Sequence, residues 1–496
     1  YKMAWTELYT EIRLMILQAL VEDDDCNFAD LAVVSREWQG VIEQRNFNRI
    51  RLTPSRIAEL DTMTLRHRNH VRYLWFCLEL EQYGCPECAP EDEAIYSTST
   101  SDDALITAAF RHLFSIISTW APDSRLSLDI SVYSTSDRDH WFKYLTFEPD
   151  ASPKSGRHGQ ELDPETVPAG KNDRRHQWDT FGLIPVPLQS AIEKVFVPIM
   201  GTGDDEQENE WCRQLPQVPA IKRVLLRQQT RRRWNSEDLA EIFARLPRLH
   251  ELCYEPWREW DDILQKSTDA TFLNLLQSLP LRRLSSLSIF ENFNQRYTHA
   301  YLPMDCSYIR TPSPDISQML SRISTNFEHL SASFMVDASD FFGAEEYQSS
   351  QRWPNLKSLV LTSQLLAPDK SHTSIMNMLQ EAALRSACMP QLESMEIWNG
   401  RAGLAALFRY DGRTKPSILE WRSTWDINLG LSVIQAWEAV SMERSGHGVE
   451  LVYGRLESEN ILSHADAILA LDLPELVIRP VSLHQIRREH SFRRIA

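Results

Sequence analysis

The chain holds 496 residues, 43% of them hydrophobic and 24% charged, and its 69 acidic against 52 basic residues leave a formal charge of −17. Those values exclude wholesale disorder, and the want of any run of about 18 apolar residues excludes a membrane-spanning helix. The acidic balance argues against a protein built around a phosphate backbone, and the length predicts about two to five folding units. Eight irregularly spaced cysteines are too few for a disulfide scaffold, and none of the 16 asparagines opens an Asn-x-Ser/Thr acceptor. Both point to a reducing, intracellular setting, cytoplasmic or nuclear. The sequence opens at Tyr1 and is read as an excerpt, and Tyr1 to Leu20 is too acidic and polar for a signal peptide.

The first fifty residues predict two or three short helices. Leu8, Ile12, Ile16 and Leu20 recur every four residues, with Met15 and Leu17 widening the stripe into one apolar helix face. After the acidic turn Glu22 to Asp25, Asn27 and Asp30 form a helix-start pattern, in which a short side-chain acceptor satisfies free backbone N–H groups. Leu31, Val34, Trp38 and Ile42 make the next stripe, and Phe47, Ile50 and Leu52 extend it. So small a unit buries too little surface to be secure alone, so its apolar side chains need a partner.

These residues resemble the F-box, the adaptor-binding motif of ubiquitin-ligase substrate receptors. Leu8, Glu11, Ile12, Ile16, Leu17, Leu20, Leu31, Ala32, Val34, Ser35, Arg36, Trp38 and Ile42 occupy its places, while Tyr9 stands where the pattern has Pro. The missing Pro removes a rigid helix start. The resemblance implies a Skp1-type adaptor as partner and, through it, a cullin. It assigns the adaptor contact, or the holding of its helices, to Leu8, Ile12, Ile16, Leu17, Leu20, Leu31, Val34, Trp38 and Ile42.

After Pro54 another pattern recurs: Pro, then apolar residues two, five and seven places on. Examples are Ile221, Val224 and Leu226; Leu249, Leu252 and Tyr254; Leu356, Leu359 and Leu361; and Leu392, Met395 and Ile397. Leu284, Leu287, Ile289 and Asn292 complete one LxxLxLxxN run, and looser copies sit at Val71, Leu74 and Phe76 and at Leu330 and Met335. The alternation predicts strands, and the Pro blocks continuation of the helical stretches before them, such as Leu239 to Leu246 and Ile375 to Ala387. Helix then strand about every 28 to 37 residues resembles a long, irregular leucine-rich repeat. An α/β domain with coincidental Leu spacing is the alternative.

The expected organisation is therefore α/β: an F-box helical module over 1–52, an irregular leucine-rich-repeat-like helix–strand solenoid over 53–345, and a C-terminal region over 346–496. Polar stretches at 84–103, 151–177 and 201–216 read as loop insertions, and Tyr308 to Pro314 as a proline-marked break. The last region is rich in Trp, with Trp398, Trp421, Trp425 and Trp437. Its closing segment, LPELVIRPVSLHQIRREHSF, resembles the end of an uncharacterised domain of fungal F-box proteins.

Little catalytic chemistry is legible. No Walker loop, GxGxxG, HExxH or GxSxG occurs. Cys85 and Cys88 form one CxxC, with Cys77, His67 and His70 upstream; without a second CxxC they read as loop cysteines without metal. Gly446-His447-Gly448 reads as a turn. Lys222, Arg223, Arg227, Arg231, Arg232 and Arg233 beside Trp234 read as a solvated face or a dock for the acidic loop Asp204 to Glu210, rather than a nucleic-acid site. Arg487, Arg488, Arg493 and Arg494 read as a solvated end. Trp257, Arg258 and Trp260 lie just past a repeat strand and are the residues expected to grip a target. The expectation is a non-enzymatic substrate receptor with no cofactor, no metal, no nucleic acid and no membrane partner; an F-box scaffold and an enzyme with an unrecognised site are its rivals.

Overall fold

A computed structural model of the chain describes residues 5–22, 31–88, 100–122, 124–150, 176, 189–200, 210–259, 261–294, 297, 309–343, 351–473 and 475–491. Two helices come first, α1 (Thr10–Glu22) and α2 (Arg36–Asn48), and α2 runs directly into β1 (Arg49–Leu52). There follow α3 (Ile57–Thr64), β2 (Tyr73–Glu79), α4 (Thr100–Ile117), β3 (Leu126–Tyr133), β4 (Ile221–Leu226), α5 (Ser236–Ala244) and β5 (Glu251–Tyr254). Next are α6 (Asp262–Ser278), β6 (Ser286–Phe290), α7 (Pro314–Ile323), β7 (His329–Ser333), β8 (Ser358–Thr362), α8 (His372–Ser386) and β9 (Ser394–Arg401). The chain closes with β10 (Leu404–Asp411), β11 (Ser417–Ser423), α9 (Leu431–Ser445), β12 (Val449–Arg455), α10 (His464–Ala470) and α11 (Pro480–Ser491).

These twelve strands form one sheet in sequence order. Pairing is parallel from β1 to β9, antiparallel from β9 through β11, and parallel again at β12. The apolar repeat positions fall in register across it. Leu74, Leu128, Val224, Leu252, Leu287, Leu330, Leu359 and Met395 are successive partners, and so are Phe76, Ile130, Leu226, Tyr254, Ile289, Ala332, Leu361 and Ile397. Residues two apart share a sheet face, so both rows bury together against α3 to α9 in the main core.

Local chemistry sets the helix ends. The Asn235 side chain accepts from Glu237 and Asp238 N–H at the start of α5, and Asp261 accepts from Ile263 and Leu264 N–H at the start of α6. Pro314 opens α7, where its missing N–H is harmless. Gly446 ends α9 at φ 73°, a left-handed conformation that side chains disfavour.

The opposite face carries polar groups and is covered by the chain itself. Residues 475–491 and α10 lie on it: Ser288 Oγ donates to the Leu476 carbonyl at 2.6 Å, Gln228 Nε2 to the Ser482 carbonyl at 3.1 Å, and the Thr146 N–H to Gln485 at 2.9 Å. Phe290, Trp398 and Leu407 pack there with Ala465, Ile468 and Ile486.

Several expectations need correction. The stretch 201–216 is not all loop, because Glu210–Arg213 is a helical turn whose Trp211 and Cys212 are buried in the core. Within 84–103, Cys85–Cys88 is a helical turn and α4 starts at Thr100. The sheet continues into the C-terminal region, where Ser358 pairs with His329. Trp398, Trp421 and Trp437, by contrast, are core residues, as expected of side chains with so much apolar area to bury. Asn27 and Asp30 lie outside the described residues, as does 151–177 apart from His176. Among the described residues no helix is long and apolar enough to cross a membrane.

Candidate functional site

The N-terminal helices are tied to each other by a few contacts. Ser35 caps α2 by accepting from the Trp38 N–H at 3.4 Å. The Trp38 ring packs on Trp5 at 5.6 Å, while Trp5 Nε1 and Arg13 Nε both donate to the Glu37 carboxylate, at 3.3 and 3.1 Å. Of the nine residues assigned to the adaptor, Leu17 and Ile42 are buried and act as packing. Leu8, Leu20, Leu31 and Trp38 are half-buried, and Ile12, Ile16 and Val34 are exposed. Met15 of the predicted stripe is exposed too, and the apolar surface is wider than that stripe implied: Leu14, Val33 (85% exposed) and Tyr9 (81%) join it. The unbroken run Leu14-Met15-Ile16-Leu17 signals this, since four consecutive apolar residues cannot share one helix face.

Lys222, Arg223 and Arg233 are partly exposed, but the other three members of the basic cluster are no solvated face. Arg227 pairs with Asp129 at 2.7 Å, Arg231 with Glu489 at 2.8 Å and Arg232 with Asp137 at 2.9 Å, all fully buried. Burial of so many charges requires pairing, and the partners come from segments distant in sequence, so composition gave no hint of it. Burial opposes ionisation of Glu489, but Arg231, Asn294 and Tyr297 hold its carboxyl below the usual range. Arg487 is exposed, as a solvated end would have it, and lies 3.7 Å from Asp466, whereas Arg488 is half-buried; Arg493 and Arg494 lie outside the described residues.

Trp257, expected on the surface, is buried. Its Nε1 donates to the Gln228 carbonyl at 2.7 Å, and the Arg231 guanidinium lies 4.3 Å from its ring centre. Trp260 lies outside the described residues. Arg258 is half-buried and lines a small pocket of about 40 Å³ with Phe293, Ile309, Arg310 and Phe334, beyond the carboxyl ends of β6 to β8. A wider, more polar cleft of about 310 Å³ runs beside Arg233, Trp234, Pro256 and Thr268. His447 is an exposed turn residue facing the Ser445 carbonyl at 2.8 Å.

Cys85 and Cys88 have histidine neighbours that spacing did not reveal: His140 and His176, 55 and 88 residues downstream of the cysteines they meet. Cys77 is buried on β2, and His67 stacks on Phe47, so neither belongs to this cluster.

The architecture defines a mixed α/β protein on one large, mostly parallel sheet, with an apolar helical surface at its N-terminal edge. Residues 278–479 match the model of a family of unknown function, DUF6546. The match covers the sheet from β6 onward and α10, leaves α1 and α2 outside, and brings no activity with it. No curated protein matches the chain.

Proposed function

We propose that the chain is the substrate-recognition subunit of a Skp1–cullin–F-box ubiquitin ligase, with α1, α2 and the residues between them as an F-box that docks the adaptor. The observation that carries this reading is the concentration of exposed apolar side chains at Tyr9, Ile12, Met15, Ile16, Val33 and Val34. Exposed apolar side chains gathered on so short a helical pair suit a protein-binding site. The direct run of α2 into β1 gives the docked adaptor a fixed orientation to the rest of the chain. Ligation would then work by proximity, raising the effective concentration of target lysines near a recruited conjugating enzyme.

The sequence-ordered parallel ladder supports reading the body as an irregular leucine-rich-repeat-like solenoid, in which each unit contacts its neighbours. Arg258 and the pocket beside it remain the target-gripping candidates, in a nuclear or cytoplasmic setting. One observation favours a second reading. The sheet face opposite the helices, where a target would be expected to lie, is covered by residues 475–491, which suits an F-box scaffold that delivers nothing.

Co-expression with a Skp1-type adaptor tests the first step. Co-elution that disappears when residues 1–52 are removed supports the F-box; well-folded protein that never co-elutes overturns it. An adaptor-dependent, ubiquitylated partner in cells separates receptor from scaffold.

A further inference from the structure

The cysteine–histidine cluster lies apart from the adaptor surface. Cys85 and Cys88 sit on the helical turn Cys85–Cys88, His140 directly follows the turn Ser136–Asp139, and His176 comes from the long connection between β3 and β4. Cys85 Sγ is 3.7 Å from His140 Nδ1, Cys88 Sγ is 3.4 Å from His176 Nε2, and the two imidazole nitrogens are 3.1 Å apart. All four donor atoms lie within 4.8 Å of one another. Around a tetrahedral zinc, with bonds of about 2.3 Å to sulfur and about 2.0–2.1 Å to nitrogen, neighbouring donors stand roughly 3.3–3.8 Å apart. The four atoms are therefore already near ligand spacing.

The protonation pattern agrees. His140 Nε2 lies 3.3 Å from the Tyr83 carbonyl oxygen, which can only accept, so Nε2 carries the proton and Nδ1 turns its lone pair on the cluster. A proton on His176 Nε2 would account for the contact between the two rings. It would not account for two thiols converging on the same point. The set holds two sulfurs, two imidazoles and no carboxylate, a soft, tetrahedral donor combination that favours zinc.

We propose that Cys85, Cys88, His140 and His176 form a structural zinc site. Two thiolates cancel the charge of the ion, so the assembled site is neutral. That suits its surroundings: Cys88 and His176 are buried, Trp141 packs edge-on to His176 at 5.5 Å, and Cys88 belongs to a small apolar cluster with Phe142, Ile192 and Val195. Four protein donors leave no open position for substrate, which makes the role structural rather than catalytic. The ion would fasten three segments far apart in sequence onto the end of β3, and this satellite cluster would depend on it for order. The proposal stands independently of the ubiquitin-ligase reading.

The test uses the full chain, expressed with zinc supplementation and purified without chelators. Elemental analysis should find about one zinc per chain. After exchange, cobalt(II) should give thiolate-to-metal charge-transfer absorption and the visible bands of a tetrahedral ion. Cys88→Ser and His176→Ala should each lower zinc occupancy at least about tenfold, whereas Cys77→Ser and Cys253→Ser, which alter cysteines outside the cluster, should leave it unchanged. In case the loss variants misfold, His140→Cys keeps four donors; it should retain the metal and strengthen the cobalt–thiolate absorption. Folded wild-type chain that carries no stoichiometric zinc and gives no tetrahedral cobalt spectrum would overturn the proposal. So would zinc content unaffected by Cys88→Ser and His176→Ala together.

Discussion

Arg231 and Glu489 are 258 positions apart in sequence, yet their side chains meet at 2.8 Å with both fully buried. Tyr297 accepts from Arg231 at 2.6 Å and donates to Glu489 at 2.7 Å, and the guanidinium lies over Trp257. This pair fixes α11 to the polar face of the sheet. Arg479 with Asp150, at 2.7 Å, and Ser482 with Glu255 extend the attachment.

Removing one member of that pair leaves the other charge buried and unpaired, so Glu489→Gln should destabilise the chain by about 3–5 kcal/mol. Denaturant unfolding followed by fluorescence would measure it. The double variant R231M/E489L should lose less than either single change, because no bare charge remains; strictly additive losses would show that the pair does not couple.

The helical pair separates packing from docking. Ile16→Glu and Val34→Asp alter exposed side chains and should leave stability within about 0.5 kcal/mol while abolishing co-elution with a Skp1-type adaptor. Leu17→Ala and Ile42→Ala remove buried side chains and should cost about 2–5 kcal/mol. Undiminished adaptor binding by a folded Ile16→Glu/Val34→Asp chain would remove this surface from consideration.

Glu396, on β9, has burial as the main influence on its carboxyl, which is pushed up to about 7 against the opposing pull of Arg409, 3.5 Å away. The folded pKa exceeds the ordinary 4.5, so this group's stability contribution is full below about pH 4.5 and is lost as pH rises through about 7. The loss is on the order of 3 kcal/mol. Glu396→Gln should therefore flatten the melting temperature between pH 5 and pH 8 and raise it at the alkaline end. Parallel melting curves for variant and wild type across that range would refute the argument.

Ser35→Ala deletes the cap of α2 and should cost about 1 kcal/mol, whereas Ser35→Asp should keep the cap and lose little. Hydrogen exchange of amides 36–40 reads this locally. Equal protection in both variants would mean that the cap contributes nothing.

How much of this was legible depended on the range of the interactions involved. The apolar offsets at Leu252 and Tyr254, Leu287 and Ile289, or Leu359 and Leu361 reflect a period of two and a neighbour of the same kind, and they predicted strands that now stand side by side. The N-terminal stripes likewise announced helices, since Leu17 and Ile42 carry the pattern locally. What escaped was pairing between distant segments. A run of arginines reads as solvated until Asp129, Asp137 and Glu489 are brought beside it. A CxxC reads as isolated while its histidines lie in other segments. Trp257 looked like a surface anchor because sequence cannot show that Arg231 lies over its ring.

The covering of the polar sheet face by residues 475–491 also has a consequence for how the protein is made. Those residues leave the ribosome after every strand they cover. At about 5–20 residues per second, roughly 20–70 s separate the emergence of β3 from that of α11. From the time each is made until α11 arrives, Asp129, Arg227, Arg231 and Glu255 stand on a nascent sheet whose final lining has yet to be synthesised. The growing chain thus presents chaperones with a charged, aromatic-edged groove that the finished protein never displays.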